Sequence, residues 1–167
     1  PLVVSVQEGG SPIADHAEAI RINSRDAWAY TRRGMAWTEK GEFDQAVADI
    51  TEAVTIDPKY AFGFGQRGQA LFRKRLITKK DGWEPAIADY SEAIKLDPNL
   101  LWLYSSRGVA YSNNRQYDLA VPDCSEVIKR EQQCSIFRDQ DRWHGYSGYA
   151  DSYAMVDQDK LALLTPG

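Results

Sequence analysis

Apolar and small residues recur along the chain every three or four positions, the spacing that lays side chains along one face of an α-helix. Ala46, Val47, Ile50, Ala53 and Val54 form one such set. Just upstream, Trp28, Met35 and Trp37, with the small Gly34 and Ala36, fill an earlier helix. Lys40-Gly41 breaks the first helix, and Asp44 stands where a side chain could cap the second. Asp57-Pro58 stops that second helix, because proline disfavours helical geometry in the residue before it and cannot extend the hydrogen-bond ladder. The pattern predicts helices joined by short turns, with no sheet anywhere in 27–130.

The helix pair repeats. AWAYTRRGMAWTEKGEFDQAVADITEAVTIDPKY (27–60) aligns with 61–100 and with 101–134, units of 34, 40 and 34 residues, so the middle one carries a six-residue insertion. Arg33-Gly34, Arg67-Gly68 and Arg107-Gly108 coincide, as do Asp49, Asp89 and Asp123. PIADHAEAIRINSRDA (12–27) overlays 46–61, with Asp15 matching Asp49. Residues 1–26 therefore read as a tail plus the second helix of a truncated repeat, and the start at Pro1 suggests a piece of a longer or processed chain. Residues 135–167 read as a degenerate capping helix and tail, with Trp143, Tyr146, Ala150 and Ala154 three or four apart. Pro85 falls in a first turn, where a missing N–H is harmless, whereas Pro122 sits about one turn deeper and predicts a local irregularity.

Tyr30, Gly34, Trp37, Ala46, Ile50, Ala53 and Pro58, with their counterparts Phe64, Gly68, Leu71, Ala86, Tyr90, Ala93 and Pro98, resemble the tetratricopeptide repeat pattern. The third unit follows it with Tyr104, Gly108, Tyr111, Ala120, Cys124 and Val127, but has Gln132 where the proline would stand. The resemblance implies an all-α fold, a right-handed α-solenoid of seven or eight stacked antiparallel helices in which neighbouring units bury each other's apolar faces. It also implies a non-enzymatic scaffold that holds a partner peptide in a concave groove. Where the family's best-known version clamps an acidic C-terminal carboxylate with Lys, Asn and Arg, this chain has Thr31, Met35, Gln66, Trp102 and Ser106, so that mode is not expected. A self-associating or intramolecular regulatory domain is the alternative.

Taking Tyr30, Phe64 and Tyr104 as packing residues puts Trp28, Thr31, Met35 and Thr38 on the inner surface. Phe62, Gly65, Gln69 and Phe72 follow, then Trp102, Ser105, Val109 and Ser112. Aromatic anchors beside small residues would make pockets for apolar side chains of the partner. The pattern also departs from the family, because Arg33, Arg67 and Arg107 replace an apolar residue. Their recurrence in step with the aspartates predicts a ladder of ion pairs within or between units, against the alternative that they extend to water.

Composition narrows the chemistry. Twenty Lys+Arg against 24 Asp+Glu leave a net charge of −4, which argues against nucleic acid as the main partner. Arg73, Lys74, Arg75, Lys79 and Lys80 cluster around the insertion and could meet an acidic partner segment or acidic lipid. The insertion is expected to lengthen both helices of its hairpin and carry these charges outward as a knob. Cys124 and Cys134 are too few for a disulfide framework or a zinc site and read as free thiols, and no apolar run approaches a bilayer span. These features favour a soluble, cytoplasmic setting without fixing the compartment. Gly63, Gly65 and Gly68 match GxGxxG literally but lie inside a predicted helix rather than between a strand and a helix. His16 and His144 have no partner at metal-ligand spacing, and Ser147 lacks the second glycine of a nucleophile elbow. Neither a catalytic set nor a cofactor is expected.

Overall fold

The computed structural model describes residues 11–134. The expected capping helix at Trp143–Ala154 and His144 lie outside them. Seven helices follow one another: α1 (Pro12–Ile22), α2 (Ala27–Lys40), α3 (Phe43–Ile56), α4 (Ala61–Thr78), α5 (Glu84–Leu96), α6 (Leu101–Asn113) and α7 (Tyr117–Cys134). There is no strand among the described residues. Helices α2–α3, α4–α5 and α6–α7 form hairpins, α3 packs on α4, α5 on α6 and α1 on α2, so the array is an all-α solenoid.

Local chemistry sets most boundaries. The Asp26 carboxylate accepts from the Ala29 N–H at 2.9 Å and caps α2, which ends at Gly41 in the left-handed conformation (φ 81°). Helices α3 and α5 stop before Asp57-Pro58 and Asp97-Pro98, whereas α7, lacking that proline, runs on to Cys134. Asp44 is not the cap of α3. The helix begins at Phe43, whose buried ring sets its start, and Asp44 lies in the first turn, where its charge suits the helix dipole. Pro122 does not delay α7, which is helical from Tyr117 onward. Its cost is the one bond that the Asp118 carbonyl cannot receive.

The insertion is absorbed unequally. Helix α4 has 18 residues against 14 in α2, about 6 Å of extra length, while α5 has only 13. The remainder forms the 79–83 connection, in which Lys79 and Asp81 take positive φ. Trp83 is buried against Phe72 at 5.0 Å, and Pro85 sits in the first turn of α5. Together they pin the start of α5, so only α4 can grow, and the expected shared lengthening becomes one-sided.

The core lies between units. Trp83, Ala86, Ile87, Tyr90, Ala93, Leu103 and Ala110 form its largest cluster, and Ala46, Ile50 and Ala70 a second. The repeat glycines allow the two helices of a hairpin to approach. A Cβ on Gly68 would stand 2.8 Å from the Tyr90 ring and 3.2 Å from the Ala86 carbonyl, whereas one on Gly108 would meet nothing closer than the Cys124 sulfur at 3.4 Å. Gly68→Ala is therefore expected to lower stability by about 1–3 kcal/mol through overpacking. Gly108→Ala should be neutral or gain up to about 1 kcal/mol of helix propensity. Urea titrations of the two variants check the contrast; equal losses would contradict it.

Candidate functional site

The first helices α2, α4 and α6 stand side by side, and one ion pair fixes each to its own second helix. Arg33 donates from Nε and Nη2 to both oxygens of Asp49, each at 2.7 Å. Arg67 holds Asp89 in the same way at 2.7 Å, and Arg107 holds Asp123 at 2.8 and 2.6 Å. The expected ladder thus runs within units. Each carboxylate is buried, at 9%, 7% and 4% exposure, so the paired geometry supplies what water no longer can. Hydrogen bonding to the carboxylate holds each guanidinium above its ordinary value. Each guanidinium also lies over the aromatic residue one turn earlier, Tyr30, Phe64 or Tyr104, at 5.6, 5.3 and 6.0 Å.

The remaining guanidinium nitrogen reaches the preceding unit, from Arg67 to the Thr51 hydroxyl at 3.3 Å and from Arg107 to the Ser91 hydroxyl at 3.1 Å. Sequence reasoning missed this link between units. Its signal was available, because Thr51 and Ser91 each precede their arginine by sixteen residues, while Ala17 stands at that place before Arg33.

The expected groove residues divide into two groups. Thr31 and Thr38 are buried and donate to the Ala27 and Gly34 carbonyls at 2.9 and 3.0 Å. Gly65 is buried beneath the ring of Trp102, which also meets Phe62 at 6.3 Å, and Phe72 packs on Trp83. Trp102 joins its unit to the one before it, whereas Phe72 packs within its own unit, and the repeated aromatic position is filled by packing at Phe62 and Trp102. Trp28, the third member, is 54% exposed, with the Arg32 guanidinium 5.4 Å from its centroid and the His16 ring edge-on at 5.6 Å. Met35, Gln69, Ser105, Val109 and Ser112 are half-buried, and Gln69 accepts from the Tyr90 hydroxyl at 3.2 Å.

The basic cluster also divides. Lys74 bonds Asp44 at 2.9 Å and approaches Asp81 at 3.6 Å, contacts that hold its ammonium above its usual value. Arg75 lies over Trp83 at 5.0 Å. Arg73, Lys79 and Lys80 remain exposed around the equally exposed Ile77. Every buried carboxylate among the described residues belongs to the ladder. Cys124 is half-buried, and burial, aided by the adjacent Asp123, pushes its thiol up. No described helix is long and apolar enough to cross a membrane.

This geometry defines an α-helical repeat array. A tetratricopeptide repeat model matches residues 27–60, and a second TPR repeat model matches 78–114. The chain belongs to the tetratricopeptide repeat family, and its fold is that of a protein-interaction scaffold. No curated protein matches the sequence. A crystal structure of MamA is similar at TM-score 0.65 and 21% identity, over 75% of this chain and 70% of that one, a likeness of fold. The TPR domain of Arabidopsis OM64 is 29% identical at TM-score 0.52, over 60% of this chain and 78% of that one. The second TPR of Spaghetti (RPAP3), solved with an HSP90 peptide, is 25% identical at TM-score 0.56, over 66% and 96%.

Two outcomes follow from the site's electrostatics. Asp89→Ala strands the Arg67 guanidinium in a mostly buried place and is expected to cost about 2–3 kcal/mol by chemical denaturation. Adding Arg67→Met should return part of that loss; a double variant no better than the single one would contradict the pairing. In a Cys134→Ser background, Cys124 should react with a thiol reagent more slowly at pH 8 than a free thiol does. With its pKa raised, the thiolate forms only as pH climbs past the ordinary thiol range. Reaction as fast as in urea would show an open thiol instead.

Proposed function

We propose that the chain holds an extended or helical segment of another protein along the aligned first helices, and that it binds rather than catalyses. The observation that carries this reading is the row Met35, Gln69 and Val109. Each directly follows its repeat glycine, and each is only half-buried, so three successive helices offer one apolar–polar–apolar track. Ser105 and Ser112 flank the track with small polar groups, and exposed Trp28 lies at its first-helix edge. The buried Thr31, Thr38 and Gly65 and the half-buried Phe72 and Trp102 shape the surface around it. Arg73, Lys79 and Lys80 suit an acidic end of the same segment.

A related repeat solved with the HSP90 peptide SRMEEVD supports peptide capture as a use of this fold. That particular ligand is disfavoured here. Thr31, Met35, Gln66, Trp102 and Ser106 occupy the clamp places, and none supplies a cation for a terminal carboxylate. Selection from a displayed random-peptide library should yield sequences with two spaced apolar anchors. Calorimetry should then show the joint Met35→Ala, Val109→Ala variant binding such a peptide about 2 kcal/mol more weakly, with its thermal midpoint nearly unchanged. Selected peptides that bind the variant as tightly as the parent chain would sink the groove reading.

A further inference from the structure

We propose that the projecting tip of α4 is a membrane contact, which touches an anionic lipid surface with Leu76 and Ile77 and sets Arg73, Lys79 and Lys80 among its phosphates. This goes beyond the groove reading, which offers those three cations to the end of its segment and makes no use of the two apolar side chains. The insertion builds the tip. In the repeat register α2 and α6 end level with Lys74 and Arg73, so Arg75–Thr78 run on past both neighbours by about 6 Å. The chain then turns back sharply. Lys79, at φ 58°, donates its N–H to the Arg75 carbonyl at 3.0 Å, and the Lys80 N–H reaches the Thr78 hydroxyl at 3.2 Å. The charges of this convex end are sorted by side. Lys74 bonds Asp44 and Asp81, the acid of the turn, and Arg75 lies over Trp83, so these two cations face the array. Arg73, Lys79 and Lys80 are exposed and form no ion pair among the described residues.

The apolar side chains decide the occupant. Arg73, Leu76 and Ile77 lie three and four apart on one face of α4, and Ile77 is 68% exposed. Apolar groups ringed by long basic side chains suit the boundary of hydrocarbon and phosphate, where the first enter the acyl region and the second stay at headgroup depth. A peptide is held by depth, which a convex tip lacks, whereas a soft bilayer receives such a shape. Five of the basic residues sit in this cluster, and the rest of the chain is strongly acidic. An anionic surface therefore attracts this end and repels the remainder, which orients the contact. Few cations and two apolar groups make it weak and reversible, and salt removes it. Gln69 lies about 12 Å back along α4 from Ile77, which leaves the groove track in solvent while the tip is docked.

Cosedimentation of the full chain with lipid vesicles tests this. Phosphatidylcholine vesicles containing about 30% phosphatidylserine should carry it down, and vesicles of phosphatidylcholine alone should not. Salt at about 0.5 M should abolish the binding. Lys79→Asn combined with Lys80→Gln should weaken partitioning about 25-fold, on the order of fivefold for each cation lost. Ile77→Ser should weaken it at least about threefold. These positions are exposed, so the circular dichroism melts should match that of the parent chain. The joint Met35→Ala, Val109→Ala variant should bind the vesicles as the parent does, which separates this outcome from the fate of the groove reading. Equal binding to both kinds of vesicle, binding to neither, or tip variants that partition like the parent would each overturn the proposal. So would tip variants that lose the library-selected peptides yet keep the vesicles, a result that assigns the tip to an acidic protein segment.

Discussion

A carboxylate taken out of water must be matched, and in this fold it is matched three times by the same two-pronged arginine. The Arg33–Asp49, Arg67–Asp89 and Arg107–Asp123 pairs span each helical hairpin beside its glycine contact. Two parallel hydrogen bonds tolerate little sliding or rotation of one helix against the other. The apolar contacts around Ile50 and Tyr90 supply attraction without direction, so the clasp sets register where burial alone would accept several. Each guanidinium is further bracketed by an aromatic face, and in the second and third units by a hydroxyl of the preceding second helix. One residue therefore joins two helices of its own unit and the unit before it.

That linkage makes the outer surface a consequence of the inner one. Because Trp102 settles over Gly65 of the preceding unit and Phe72 against Trp83 of its own, the large rings of the inner first helices are committed to packing. The adjacent row at Met35, Gln69 and Val109, the track we propose for a partner, stays half-buried. Such a row has no depth within any single helix. It exists because stacking places three equivalent positions in line, the usual way a quasi-one-dimensional array builds a binding surface. The first unit differs because Ala17 offers Arg33 no hydroxyl and Trp28, beside His16 and Arg32, stays 54% exposed.

The six-residue insertion shows how tertiary anchors redistribute a sequence change. Trp83 and Pro85 hold the start of α5, leaving the extra residues to extend α4 by about one turn and to form the turn after it. Lys74 and Arg75 are then drawn back, onto Asp44 and Trp83, while Arg73, Lys79 and Lys80 stay at the tip. A run of five positive charges in the sequence becomes a smaller exposed set.

The repeat itself was legible residue by residue. Three copies of an Arg-Gly pair in step with three aspartates announced both the helix pairs and the ladder, because periodic burial leaves a periodic trace in the chain. The stops at Gly41, Asp57-Pro58 and Asp97-Pro98 were readable for the same reason, being local backbone chemistry. The start of α3 was not, since it depends on where the Phe43 ring can be buried rather than on the capping tendency of Asp44. The exposure of the first-helix residues was hidden as well. Thr31, Gly65 and Trp102 share a helix face with Met35 and Val109, and a single helix cannot tell which part of that face its neighbour will cover. Periodicity in the sequence determined the elements and their order. The separation and angle at which those elements stack decided which side chains became core and which stayed partly exposed, because burial belongs to pairs of helices and is recorded in neither one alone.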